Sequence, residues 1–232
     1  MSFETISLSS VEEFLSIAVV PVENAVIYRG VSDQSYDLIP SVGRWRGPAE
    51  SRLHFERQVF EDFKNRAIGY LPIQPRNDWE WLFLAQHYGL PTRLLDWSSS
   101  PLVALHFALR GENATDLAVY ALNFSYSIIS DAFPTFLGND PLAVTEPAQI
   151  HPSYISDRVE RQRSVFTIQQ DPWLPLRDRN IMRKYVFPAS ARRDMMRRLQ
   201  YLGISHSSLT PGLDSLCQDI AFSRNVRLNF GS

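Results

Sequence analysis

Cysteine is nearly absent from this chain: Cys217 stands alone among 232 residues. One thiol permits neither an internal disulfide nor a zinc cluster, and its Leu-rich helical surroundings suit a buried structural thiol better than a nucleophile. Lysine is almost as scarce, occurring only at Lys64 and Lys184. The other cationic side chains are arginine, a residue suited to bidentate contacts with phosphate or carboxylate. No stretch approaches the roughly 20 apolar residues of a membrane span, and the opening MSFETISLSS has no basic region followed by an apolar one. A cytoplasmic protein without membrane contact is expected. The net charge of −2 gives no reason to expect general nucleic-acid binding. A Gly-rich phosphate loop, HExxH and GxSxG are all missing, which removes the best support for P-loop, zincin and hydrolase readings. The histidines, at 54, 87, 106, 151 and 206, lack metal-ligand spacing, so no metal is expected.

What remains is enough for one large domain with a sizeable core. Ser10 and Glu13 form a capping box before Phe14 and Leu15, predicting a short first helix stopped by Pro21. Ala25 to Tyr28 reads as a strand that delivers Arg29-Gly30 at its end. Val31 to Pro48 is punctuated as a surface loop anchored by Leu38, Ile39 and Trp45. Phe55, Val59, Phe60, Phe63 and Ala67 share one face of a long helix ending near Gly69 and Pro72, with Glu56, Arg57, Glu61 and Lys64 opposite. Leu117 to Asn123 reads as a strand, and Phe124 to about Tyr154 as irregular chain. Val159 to Gln169 has strand character again, and Tyr185 to Phe187 can add another strand. Ser190 caps a helix with Met195, Met196, Leu199 and Leu202 inward, and Leu213 to about Phe222 forms the last one. Residues 189–232 are thus a C-terminal helical portion.

Trp79 to Ala108 concentrates the unusual polar residues. Asp78 can cap a helix that Gly89 and Pro91 stop, leaving Gln86 and His87 at its exit. Thr92 to Trp97 follows as a buried strand, and Ser98 to Ser100 leads into a helix with Pro101 at its first position. His106 falls on that apolar helix and reads as a satisfied core residue. Arg29, Gln86, His87, Arg93, Asp96, Ser98 and Gln162 all neighbour apolar residues expected to be buried, where an unpartnered charge costs several kcal/mol. Arg93 and Asp96 can pair locally and brace the turn. Arg29 has no carboxylate near it in sequence; a phosphate would satisfy it, and Gly30 leaves room for a ligand to approach the backbone. His87 suits a structural role or a place in a cleft equally, the latter as an acid or base oriented by Asp96.

IYRG at 27–30, LIPSVGR at 38–44, LAQHYGLPTRLLDWSSSPLVALHFA at 84–108, AVY at 118–120, RQRSVFTI at 161–168, LGI at 202–204 and PGLD at 211–214 resemble the FRG domain, named for a (Phe/Tyr)-Arg-Gly motif. The resemblance runs over nearly the whole chain as a single FRG-like domain, 1–232. More distantly, the order Arg29-Gly30, then Ser98-Ser99-Ser100, then Ala104-Leu105-His106-Phe107-Ala108, then Glu160-Arg161-Gln162 resembles ADP-ribosyltransferases of the Arg-Ser-Glu type. That resemblance implies an α/β (α+β) domain with a split or bent mixed sheet surrounded by helices. It implies NAD as substrate, transfer of ADP-ribose to a macromolecular acceptor or hydrolysis of NAD, and a toxin or phage-defence setting. Tyr28, Arg29, Gly30, Ser98, Ser99, Arg93 and Asp96 would bind the nucleotide, with Arg29 on the pyrophosphate or ribose and Ser98 orienting the catalytic strand. Glu160, Gln162, Arg29 and His87 are the candidate catalytic residues. The position matching the transferase glutamate is Gln162, which cannot stabilise a cationic transition state by charge. Glu160 or Asp96 would then supply the carboxylate, or the domain is a non-catalytic nucleotide- or protein-binding module.

Overall fold

The computed structural model describes residues 4–18, 26–111, 114–123, 127–129, 137–152, 160–176 and 181–228. The chain runs β1 (Glu4–Ser7), α1 (Val11–Ala18), β2 (Val26–Val31), α2 (Arg52–Ala67), α3 (Asp78–His87), β3 (Leu95–Ser98), α4 (Pro101–Leu109), β4 (Leu117–Asn123), β5 (Ser127–Ile129), β6 (Ala148–His151), β7 (Ser164–Ile168), β8 (Ile181–Phe187), α5 (Arg192–Tyr201), α6 (His206–Leu209) and α7 (Leu213–Leu228). The strands form one open mixed sheet of eight in the order β1-β8-β4-β2-β3-β7-β6-β5. The interior pairings are antiparallel, and the edge strands β1 and β5 join in parallel. The architecture is therefore α+β with a mixed sheet, as expected.

One seam divides that sheet. β2 pairs with β4 along its whole length, from Val26↔Asn123 to Val31↔Ala118, but with β3 only at Tyr28↔Ser98. Past Tyr28 the β3 side of β2 has no strand partner, and the halves splay apart there. Each half carries its own core. α1, α4 and α5 bury Phe14, Ala104, Leu105, Met195 and Leu199 against Tyr28, Val119, Tyr185 and Phe187 of the first half. α2 and α3 bury Phe60, Trp79, Leu82 and Phe83 against Ile150, Phe166 and Ile168 of the second. Ile27, Trp97, Leu122 and Val165 line the opposite face of the central strands, covered by Leu38 and Leu176 from loops.

Local signals explain most element starts. Ser100 accepts from the Val103 backbone N–H and Pro101 opens α4, as the sequence indicates. Ser10 Oγ accepts from Glu13 N–H at the start of α1, while the Glu13 carboxylate turns back to Ser9. The cap of α3 is Asn77, one residue before the expected Asp78, because the Asn77 side-chain oxygen reaches Glu80 N–H at 3.0 Å. Gly89 at φ +84° ends the same helix. α5 has no side-chain cap from Ser190; a short 3-10 turn, Ala189–Ala191, leads into it instead. Leu202, expected to face inward, is exposed. Pro21 and Ala25 lie outside the described residues, and the stretch read as irregular contains β5 and β6.

Two corrections bear on the site. Val159 lies outside the described residues, and the strand expected from there begins only at Ser164. Glu160 and Arg161 are helical and residues 162–163 turn the chain into the strand, with Arg163 N–H bonded to the Glu160 carbonyl and Arg163 at φ +47°. Glu160 and Gln162 therefore do not share a strand face. The second concerns Gly30. A Cβ there would stand 1.9 Å from the Ala104 carbonyl oxygen, so this glycine lets α4 lie directly on β2 rather than leaving room for a ligand.

Candidate active-site cleft at the sheet seam

The splay between β2 and β3 opens a cleft of about 470 Å³. Tyr28, Arg29, Gly30 and Val31 of β2 form one wall, and Asp96, Trp97 and Ser98 of β3 the other. Gln86 at the exit of α3, Ser41 and Arg44 from the 38–44 segment, Phe107 of α4, and Gln162 with Ser164 complete the lining. Pairing fixes the loop segment in place: Thr92 N–H donates to Ser41 Oγ at 3.0 Å, and Val42 N–H donates to the Thr92 carbonyl at 3.1 Å. Short motifs far apart in sequence thus meet at one opening.

Arg29 is the most constrained charge in the cleft. Its Nη1 donates to the Asp96 main-chain oxygen at 2.5 Å and stands 3.9 Å from the Asp96 carboxylate. Its Nε is buried without a hydrogen-bond partner among the described residues. Burial pulls the guanidinium below the usual arginine range; Asp96 opposes that shift and Arg44 adds to it. The carboxylate the sequence did not place beside Arg29 is therefore Asp96. A relay holds Asp96 in turn. Thr92 Oγ1 donates to Gln86 Oε1 at 2.5 Å, and Gln86 Nε2 donates to Asp96 Oδ2 at 2.7 Å. Among the described residues of the lining, Asp96 is the one carboxylate, and its side chain is 59% exposed.

The other expected residues divide. Ser98 Oγ donates to the Gln162 carbonyl at 2.7 Å and accepts from Ser100 N–H, so it ties the turn before β7 to the end of β3. Ser99 is exposed and holds the same turn through its N–H to the Arg163 carbonyl. The Gln162 side chain reaches the cleft, but its Nε2 is engaged by the Leu209 carbonyl at 3.2 Å and Thr210 Oγ1 at 3.3 Å. Glu160 is exposed, and it is absent from the described lining. His87 is likewise outside it, edge-on to Tyr88.

Arg93 does not pair with Asp96. It is buried under α2, where Nε and Nη2 donate to the two Glu56 carboxylate oxygens at 2.7 and 2.5 Å. Reasoning from local spacing missed Glu56, which lies 37 positions away and, expected among the outward charges of α2, is buried instead. It also overlooked Arg44 and Tyr36 as lining residues, although Arg44 closes the LIPSVGR motif.

A larger groove of about 700 Å³ lies between α2 and α3, but Val59, Phe63, Leu71, Leu84 and Leu90 make it apolar, and its charged pair Asp62 and Arg66 face each other at 3.6 Å. It offers no convergent polar set. Among the described residues no group of three His, Cys, Asp or Glu side chains converges to hold a metal ion. None of the described helices is long and apolar enough to cross a membrane.

No curated protein and no solved structure matches the chain. Residues 24–117, which carry the Tyr-Arg-Gly strand, the 38–44 segment, the β3 strand and α4, match the FRG domain family.

Proposed function

We propose that the seam cleft binds NAD and cleaves its nicotinamide–ribose bond, passing ADP-ribose to a macromolecular acceptor or to water. The observation that carries this reading is the convergence of Arg29, Ser98 and Gln162, with Asp96, on one opening beside a splayed strand pair. A cleft of this volume falls within the range of small-molecule sites. Arg29 and Arg44 provide cationic donors for the pyrophosphate. Asp96, held by Gln86, faces the positive charge that develops on the ribose as the C1′–N bond breaks. The bonding pair leaves with the nicotinamide nitrogen, which becomes neutral. The nucleophile that adds at C1′ releases its proton to solvent or to the acceptor's surroundings. In this assignment Asp96 takes the electrostatic role that neither Gln162 nor the exposed Glu160 can fill, and Gln162 positions α6 against the turn.

A second reading has its own support. Gln162 carries no charge and spends its amide on Leu209 and Thr210, which suits a module that binds a nucleotide without cleaving it. Quantifying nicotinamide release from NAD by the pure protein separates the two. The enzyme reading expects release that falls at least ~10²-fold in Asp96→Asn, is lost in Arg29→Ala, and is unchanged in Glu160→Gln. Binding of NAD without release selects the module instead. Release that survives Arg29→Ala and Asp96→Asn overturns the assignment of the cleft.

A further inference from the structure

At the far end of α4 from the seam lies a second pocket, about 530 Å³, between α4, α5, α6 and α7. Its wall combines Arg110, Arg192 and Arg193 with His106 and His206, the one carboxylate Asp219, and the apolar Leu109, Met196 and Phe222. Asp219 is already committed: its oxygens accept from the backbone N–H groups of His206 and Ser207 at 3.0 and 2.8 Å. The short helix α6 therefore offers the pocket no open N-terminus.

His106 is the group that calls for a ligand. It is 2% exposed, yet neither Nδ1 nor Nε2 has a hydrogen-bond partner among the described residues. Buried polar side-chain atoms are seldom left so, and each exception asks for an occupant. The sequence expectation of a satisfied core histidine is corrected on this point. Its ring lies 6.4 Å from that of His206 at an interplanar angle of 17°. Arg192 repeats the pattern: Nη1 and Nη2 donate to the carbonyls of Ala108, Ser32 and Thr115, while Nε is buried without a partner among the described residues.

The geometry points to this pocket as a second ligand site, one that takes a small phosphate monoester with an apolar or aromatic body. Arg110 and Arg193 bring positive charge to the phosphate, Arg192 retains its Nε–H, His106 supplies a ring N–H to one of its oxygens, and Leu109, Met196 and Phe222 pack against the body. Burial foremost, with Arg110 and His206, pulls the His106 pKa down to about 4 against the opposing Asp219. The ring is then neutral near neutral pH and keeps one donor and one acceptor. The volume exceeds what a bare phosphate needs, so a molecule carrying more than the phosphate fits it better.

Calorimetric titration of the full chain with inorganic phosphate and with 5′-AMP tests the site. Both are expected to bind saturably, 5′-AMP at least tenfold more tightly. His106→Leu is expected to weaken 5′-AMP at least tenfold. Arg193→Ala, at an exposed position, does the same. Titration in an Arg29→Ala background, which removes nucleotide binding at the seam cleft, is expected to retain saturable 5′-AMP binding that His106→Leu then weakens. Absence of saturable binding overturns the proposal, as does 5′-AMP binding that is lost in Arg29→Ala and kept in both pocket variants.

Discussion

Two arginines close to β3 meet opposite fates. Arg93 precedes the strand and turns into the second half of the molecule, where Glu56 grips it through two nitrogens and solvent reaches 1% of its side chain. Arg29 lies across the seam. Its carboxylate stands 3.9 Å away, one nitrogen is spent on a main-chain oxygen, and its Nε has no partner among the described residues. The first arrangement neutralises the charge within the protein through two direct bonds to one carboxylate, although Nη1 is buried without a hydrogen-bond partner among the described residues. The second holds the guanidinium at the wall of the cleft with its charge only partly neutralised. A buried arginine is therefore a binding residue or a strut according to how completely its partner neutralises it.

The contrast breaks most visibly at the strut. Glu56→Ala leaves Arg93 charged and uncompensated in the core and should destabilise the protein by about 3–5 kcal/mol in urea unfolding. A loss below about 1 kcal/mol would mean that Arg93 finds water or another carboxylate and is no strut.

The next largest effect concerns His106, whose ring nitrogens, like Arg29 Nε, are buried without a hydrogen-bond partner among the described residues. Its ring titrates near 6.5 in the unfolded chain and about 4 in the folded one. Between those values the unfolded chain binds more protons, so the contribution is whole above pH 6.5 and is lost as pH falls toward 4. The loss is on the order of 3 kcal/mol. Melts across that window should show the slope in the wild type and a flatter one in His106→Leu.

Gly30 sharpens the comparison, because it adjoins Arg29 and yet serves packing. Gly30→Ala drives a methyl against the Ala104 carbonyl and should cost about 1–3 kcal/mol. Arg29→Ala, by contrast, should change stability by less than about 1 kcal/mol, since it removes a partly neutralised charge at a solvent-facing edge. Equal losses in Arg29→Ala and Glu56→Ala would erase the distinction between the two arginines.

Strong local signals made parts of this legible in the sequence. The apolar run Leu117–Asn123 and the Ser100-Pro101 helix start are written into neighbouring residues, and the structure has both where the sequence puts them. The polar stretch Glu4–Ser7 gave no strand signal, because β1 is an exposed edge that relies on parallel pairing with β8. The apolar Val165, Phe166 and Ile168 suggested a strand reaching back past Gln162. The turn there depends on a non-glycine residue at positive φ and on bonds to Ser98 and Ser99, neither of which leaves a compositional trace. Of the site, the residue types and their order were legible. Which carboxylate belongs to which arginine was not, since a sequence does not announce contacts across the sheet or between helices.

The most direct measurement follows the arginine side-chain Nε–H resonances by NMR while NAD is titrated into the protein. The Arg29 signal should shift saturably and the Arg93 signal, fixed on Glu56, should stay. Saturation with Arg29 unmoved would contradict the account.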